Sequence, residues 1–139
     1  MSEIRFEGLE EVLQELEDLA DVKWAQKGLQ RASALVERAA KEKAPKGSGE
    51  LRRSIKSKVE GLEGIVYTPL EYAPYVEYGT GIHAEGGNGR KDVPWHYRDD
   101  KGEWHSTSGM EPQPYMRPAL DENREEVKRL IGEALHNRG

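Results

Sequence analysis

Tyr72 to Gly81 reads YAPYVEYGTG and Gln113 to Leu120 reads QPYMRPAL, two short runs that combine aromatic residues with Pro or Gly. Such a composition sets backbone direction at definite points instead of building one long element. Pro74 locks φ and lacks an N–H, so it suits the first position of a helix; Gly79 can take the left-handed conformation that ends one. About a turn and a half of helix results, and it carries Tyr72, Tyr75 and Tyr78 at a spacing of three. Side chains so spaced form one ridge, here aromatic, fit either to close a core or to meet a partner. In the second run Pro114 biases Gln113 toward extended backbone, and Pro118, followed by Asp121 and Glu122, marks the start of a C-terminal helix. Gln113 to Arg117 is therefore expected to be an extended lead-in.

Working back from these runs, Ala25, Leu29, Ala32, Val36 and Ala39, with Leu35 on the flank, predict a central helix ending near Lys43, where Ala44-Pro45 and the glycines stop it. Leu9, Val12, Leu13, Leu16 and Leu19 predict an earlier amphipathic helix with an acidic outer face. Between Leu51 and Val59, alternation predicts a strand with Arg52, Ser54, Lys56 and Lys58 on a wet side, turning through EGLEG into a second strand at Ile65 to Tyr67. Ile82 to Val93 reads as a mobile loop. WHYRDDKGEWH reads as a second hairpin in which Arg98 faces Glu103, Tyr97 faces Trp104 and His96 faces His105. Leu120, Val127, Leu130, Ile131, Ala134 and Leu135 form the apolar stripe of the last helix. The expected fold is α+β in a single domain, 1–139. A small antiparallel β-sheet packs on a long central helix, N- and C-terminal helices flank it, and residues 82–111 form a mobile insert carrying the hairpin.

Composition restricts what this domain can do. The 139 residues carry 26 acidic and 21 basic side chains, a net charge of −5 that disfavours general attraction to nucleic acid. The charge is segregated: Met1 to Asp21 has eight acidic residues and one basic, while Lys41 to Lys58 has seven basic and two acidic. The two stretches could meet within the fold or between copies. No cysteine is present, which removes disulfides, thiolate nucleophiles and cysteine-based zinc sites and suits a reducing cytoplasm. No signal peptide is legible at MSEIRFEGLEEV, and no apolar run approaches membrane-spanning length, so no membrane role is expected.

The chemistry-bearing residues divide similarly. His96 and His105, near Asp99, Asp100 and Glu103, are the residue types of a metal-dependent hydrolase, but no supporting shell is visible and cross-strand packing explains them better. Neither Ser48 nor Ser108 has the context of a nucleophile, and Gly86, Gly87 and Gly89 neither follow a strand nor open a helix, so they form no phosphate loop. No catalytic residue, cofactor or metal is expected. Arg52, Arg53, Lys56 and Lys58 could instead serve a nucleic-acid-binding module, against the simpler reading of a solvated face.

Taken together, YVEYGT, QPYMRPAL and the upstream AP…SGELRRSI resemble the tail-component family of long-tailed bacteriophages (siphophages). The likeness runs from about Ala44 to Leu120, with Ser48 where threonine is usual and Tyr115 where phenylalanine is commoner. It implies a structural virion protein of the neck, encoded by phage or prophage, that completes the tail or joins it to the head. It also implies a homo-oligomeric ring, with six copies one option, closing in solution or only on assembly. The implied partners are the connector or head-closure protein and the tail tube or tail terminator. DNA would pass through the lumen without specific binding, and the protein would move from host cytoplasm to virion. The interface candidates are Tyr72, Tyr75, Tyr78, Gly79, Thr80, Trp95, Trp104, Pro114, Tyr115, Met116 and Arg117, with Arg52 and Arg53 on the basic stretch.

Overall fold

The computed structural model describes residues 2–7, 19–47, 49–79, 85, 95–98, 101–107, 109 and 111–136. Its elements in chain order are β1 (Ser2–Glu7), α1 (Leu19–Lys43), α2 (Glu50–Ser54), β2 (Lys56–Glu60), β3 (Glu63–Thr68), α3 (Ala73–Tyr78), β4 (Trp95–Arg98), β5 (Trp104–Thr107), α4 (Met116–Asp121) and α5 (Arg124–His136). Among the described residues the strands form an antiparallel sheet of order β1-β3-β2 and a separate ribbon, β4-β5. The architecture is the expected α+β, a small antiparallel sheet packed on one long helix.

Helix α1 is the spine. Ala25, Leu29, Ala32, Val36 and Ala40 are fully buried along one stripe, and Ala39 lies partly buried beside it. The helix ends at Lys43, with lysines in its last turn where the exposed carbonyls favour positive charge. On one side it meets α5 through Val127, Ile131 and Leu135, which share its core. Gly28 permits that approach, since a Cβ there would stand 2.7 Å from Ile131 Cα. Against another side lies the sheet. Phe6 pairs with Gly64, and a Cβ on Gly64 would come within 2.6 Å of the Phe6 ring and 2.5 Å of Ser33 Oγ. This glycine therefore seats both the aromatic ring and the helix.

Several expectations change. Strand β1 was not foreseen, although Ile4 and Phe6 alternate inward against exposed Glu3, Arg5 and Glu7. The amphipathic helix expected from Leu9 falls on residues outside those described, save Leu19, which begins α1. The strand expected from Leu51 starts only at Lys56, and Glu50–Ser54 is helical. Arg52 is thus a helical residue and not part of a basic strand face, and Arg53 beside it is helical too. A spacing of four between Leu51 and Ile55 satisfies both a helical and a strand period. Gly49, left-handed at φ 80°, opens the helix, and the Ser54 hydroxyl returns to the Leu51 carbonyl at 2.6 Å.

The hairpin through Gly61 forms as expected, Glu60 pairing with Glu63. At β4-β5 the register is one residue away from that expected: Arg98 pairs with Trp104, Tyr97 with His105 and His96 with Ser106. Gly102 takes φ 81° and leaves Glu103 in the loop, so the connection has an odd number of residues. The two histidines no longer face each other. The C-terminal helix begins at Met116 and breaks at Glu122 and Asn123, where Asn123 Nδ2 donates to the Ala119 carbonyl at 2.7 Å.

Candidate functional site: a buried glutamate clasp beneath a tyrosine ridge

Helix α3 has the limits that its punctuation implied. Pro74 sits in the first turn, and Gly79, at φ 83°, closes the helix with its N–H on the Tyr75 carbonyl at 2.9 Å. On its inner side Ala73, Val76 and Glu77 are buried. On its outer side Tyr72, Tyr75 and Tyr78 are 39, 57 and 45 % exposed. Within this chain the ridge is surface.

Glu77, only 2 % exposed, is the penultimate residue of that helix and reaches the second motif. Its Oε1 accepts the backbone N–H groups of Tyr115 at 3.1 Å and Met116 at 2.9 Å. Its Oε2 accepts the Arg117 N–H at 3.3 Å and Arg117 Nε at 2.7 Å. The first N–H groups of a helix have no partner in the helix itself, and here a carboxylate from a distant part of the chain satisfies them for α4. Pro118 fits the same turn because its missing N–H belongs to that unpartnered set. For this reason helix, and not extended backbone, begins ahead of the proline.

Arg117 completes the clasp. Its Nη2 donates to the Glu77 carbonyl at 3.1 Å, Nη1 and Nη2 fork onto Glu85 at 3.0 and 3.2 Å, and the guanidinium lies 4.5 Å from the centre of the Tyr78 ring. Glu85 and Glu77 hold the guanidinium's pKa above its already high ordinary value, and Arg117 holds the Glu85 carboxyl below its own. A planar fork matching two carboxylates while stacking on a ring is a task for arginine that lysine cannot perform. Beneath them the Gln113 N–H donates to the Val76 carbonyl at 2.8 Å, and the fully buried Tyr115 points its hydroxyl at the Ala73 carbonyl, 3.5 Å away. Burial, reinforced by the Glu77 charge, pushes the Tyr115 phenol up, so it stays protonated.

The structure thus separates the expected interface residues. Tyr72, Tyr75, Tyr78 and Pro114 are exposed, as is Trp104 at 69 %, on the ribbon. Gly79, Tyr115 and Met116 are buried, the latter two as core side chains, and Arg117 is engaged in the clasp. Arg52 is half-buried and Arg53 exposed on α2, away from the clasp in sequence. Thr80 and the side chain of Trp95 lie outside what is described, as does most of the insert expected to be mobile. Glu77 and Glu85 were missed: a charged residue inside a short helix reads as solvated unless its distant partner is known. The signal available was the arginine in QPYMRPAL, which needs an acid if it lies against a core. Among the described residues no group of three His, Asp or Glu could hold a metal, and no helix is long and apolar enough to cross a membrane.

Comparison with known proteins places the chain in a family. No curated protein and no solved structure matches the chain. Residues 7–79, more than half of the 139, match the family described as "Bacteriophage HK97-gp10, putative tail-component". The matched span runs from the end of β1 through the central helix and the sheet to the glycine that closes α3, and it contains Glu77. The chain belongs to the HK97-gp10-like family of bacteriophage tail components.

Proposed function

We propose that the protein is a non-catalytic assembly component of the phage neck, completing the tail and joining it to the head connector as a homo-oligomeric ring. The observation that carries this reading is the tyrosine ridge. Three exposed aromatics, one capping a short helix and two within it, are held from below by Glu77 and Arg117, so they are presented rigidly instead of swinging on a loop. Aromatic side chains fixed at a surface bury large area at low entropic cost, as interface anchors do. Membership in a tail-component family supports phage structural proteins as the partners: a second copy at the ridge, the connector or head-closure protein on one face, the tail tube or terminator on the other. Assembly would take place in the host cytoplasm, with DNA passing through the lumen.

Light scattering across a range of concentration, alone and with purified connector, tests this. The expected result is a discrete ring, or a monomer that assembles as concentration rises or connector is added. Tyr75→Ser with Tyr78→Ser should raise the concentration needed by at least about tenfold, the scale of losing one central aromatic anchor. A strict monomer under both conditions would overturn the reading.

A further inference from the structure

We propose that the cleft between the end of α1 and helix α2 is a binding site for a doubly charged phosphate-bearing anion. The cleft, of about 290 Å³, is lined by Arg38, Lys41, Glu42, Lys46 and Arg52. Three of these converge for a simple reason: Arg38, Lys41 and Glu42 stand three and four residues apart on the last turns of α1. Beyond the end of α1 the chain adds Lys46 and then Arg52, in the first turn of α2, to the lining.

Four cations face one carboxylate. Lys41 is already matched by Glu37 at 3.1 Å, which leaves a surplus of two positive charges. No ion pair or hydrogen bond engages the side chains of Arg38, Lys46 or Arg52 within the described residues. Arg52 Nε is buried with its hydrogen-bonding capacity unused, an arrangement that costs stability unless something accepts from it. The neighbouring cleft along α1 shows the contrast. It shares Arg38 and Glu42 but adds Lys43 and Glu122, which pair with each other, so its charge is balanced.

Two guanidinium forks and an ammonium without partners among the described residues, lining one small open cleft, match tetrahedral oxyanion geometry. The surplus of two charges fits one phosphate dianion or two consecutive phosphodiesters of a nucleic-acid backbone. The basic stretch is therefore not one patch. Lys56 and Lys58 lie on the exposed sheet face, with Lys58 paired to Glu60 at 2.9 Å, while Lys41, Lys46 and Arg52 line the cleft.

The test is calorimetric titration of the full chain with inorganic phosphate and, separately, with a short duplex DNA of random sequence. Four proteins are compared: wild type, Arg52→Ala, the pair Arg38→Gln/Lys46→Gln, and the control pair Lys56→Gln/Lys58→Gln. Binding of either probe should weaken about tenfold in each cleft variant, the scale of one lost hydrogen bond to a charged group, and less than about twofold in the control. Phosphate bound in this pattern identifies a small-anion site; DNA bound in this pattern without phosphate identifies the backbone as the source. If Arg52→Ala does not fold by circular dichroism, the Arg38/Lys46 pair decides. Binding of neither probe to wild type, or equal loss in the control pair, would overturn the proposal. Neither result bears on ring formation, which is read by mass.

Discussion

Among the described residues Glu77 is the one charged residue that is buried. Its carboxylate caps α4 while holding Arg117, so removing its charge strands several donors at once. Leaving donors at a buried site without an acceptor costs about 1–3 kcal/mol, and Glu77→Gln, which keeps one acceptor oxygen while Arg117 is partly exposed, should lower the unfolding free energy by that order in denaturant titration. A loss under about 1 kcal/mol, the value of an exposed pair, would show the clasp to be incidental. Glu85, on the exposed end of the same network, has a different signature. Its pKa is depressed by the hydrogen bonds from Arg117, so its contribution is fully present above the ordinary value near 4.5 and is lost as pH falls through the lower folded value. The difference in thermal midpoint between wild type and Glu85→Gln should accordingly be steady at neutral pH and vanish under acid conditions. A gap that persists unchanged into acid would mean that Glu85 acts through something other than its charge. Arg117 stays protonated throughout and adds no pH dependence of its own.

At the scale of elements, close approach decides the packing. Gly28 brings α1 onto the backbone of α5, and replacing it with valine must push two helices apart. Overpacking of this kind costs about 1–3 kcal/mol, so Gly28→Val should be destabilised to that extent by calorimetry. Gly47→Ala, with nothing within 4 Å of the added carbon, should be nearly neutral. Equal effects would show that the helix interface yields freely. The same scale explains which elements were legible in advance. The end of α1 at Lys43, the limits of α3 and the turn at Gly61 each depend on a Pro or Gly whose backbone restriction is local. Helix α2 and the β4-β5 register differ from expectation because the deciding feature is ambiguous in sequence: a spacing of four that fits two periods, and a glycine that adds a residue to a loop.

For the whole molecule, hydrophobic periodicity and backbone punctuation were enough to imply an α+β domain with one long helix at its centre. The order of the quoted motifs was enough to imply a phage tail component, the family to which the chain belongs. These follow from the sequence because side-chain polarity and the φ restrictions of Pro and Gly act over a few residues and need no distant partner. What only the tertiary structure decided is pairing across the chain. It recruited Ser2–Glu7 as an edge strand beside β3 and separated the exposed tyrosines from the buried Tyr115 and Met116. It also joined YVEYG to QPYMRP through Glu77 and gathered Arg38, Lys46 and Arg52 around one cleft. A carboxylate can be buried only when donors dozens of residues away arrive to satisfy it, and that cost and its compensation exist only in the folded chain.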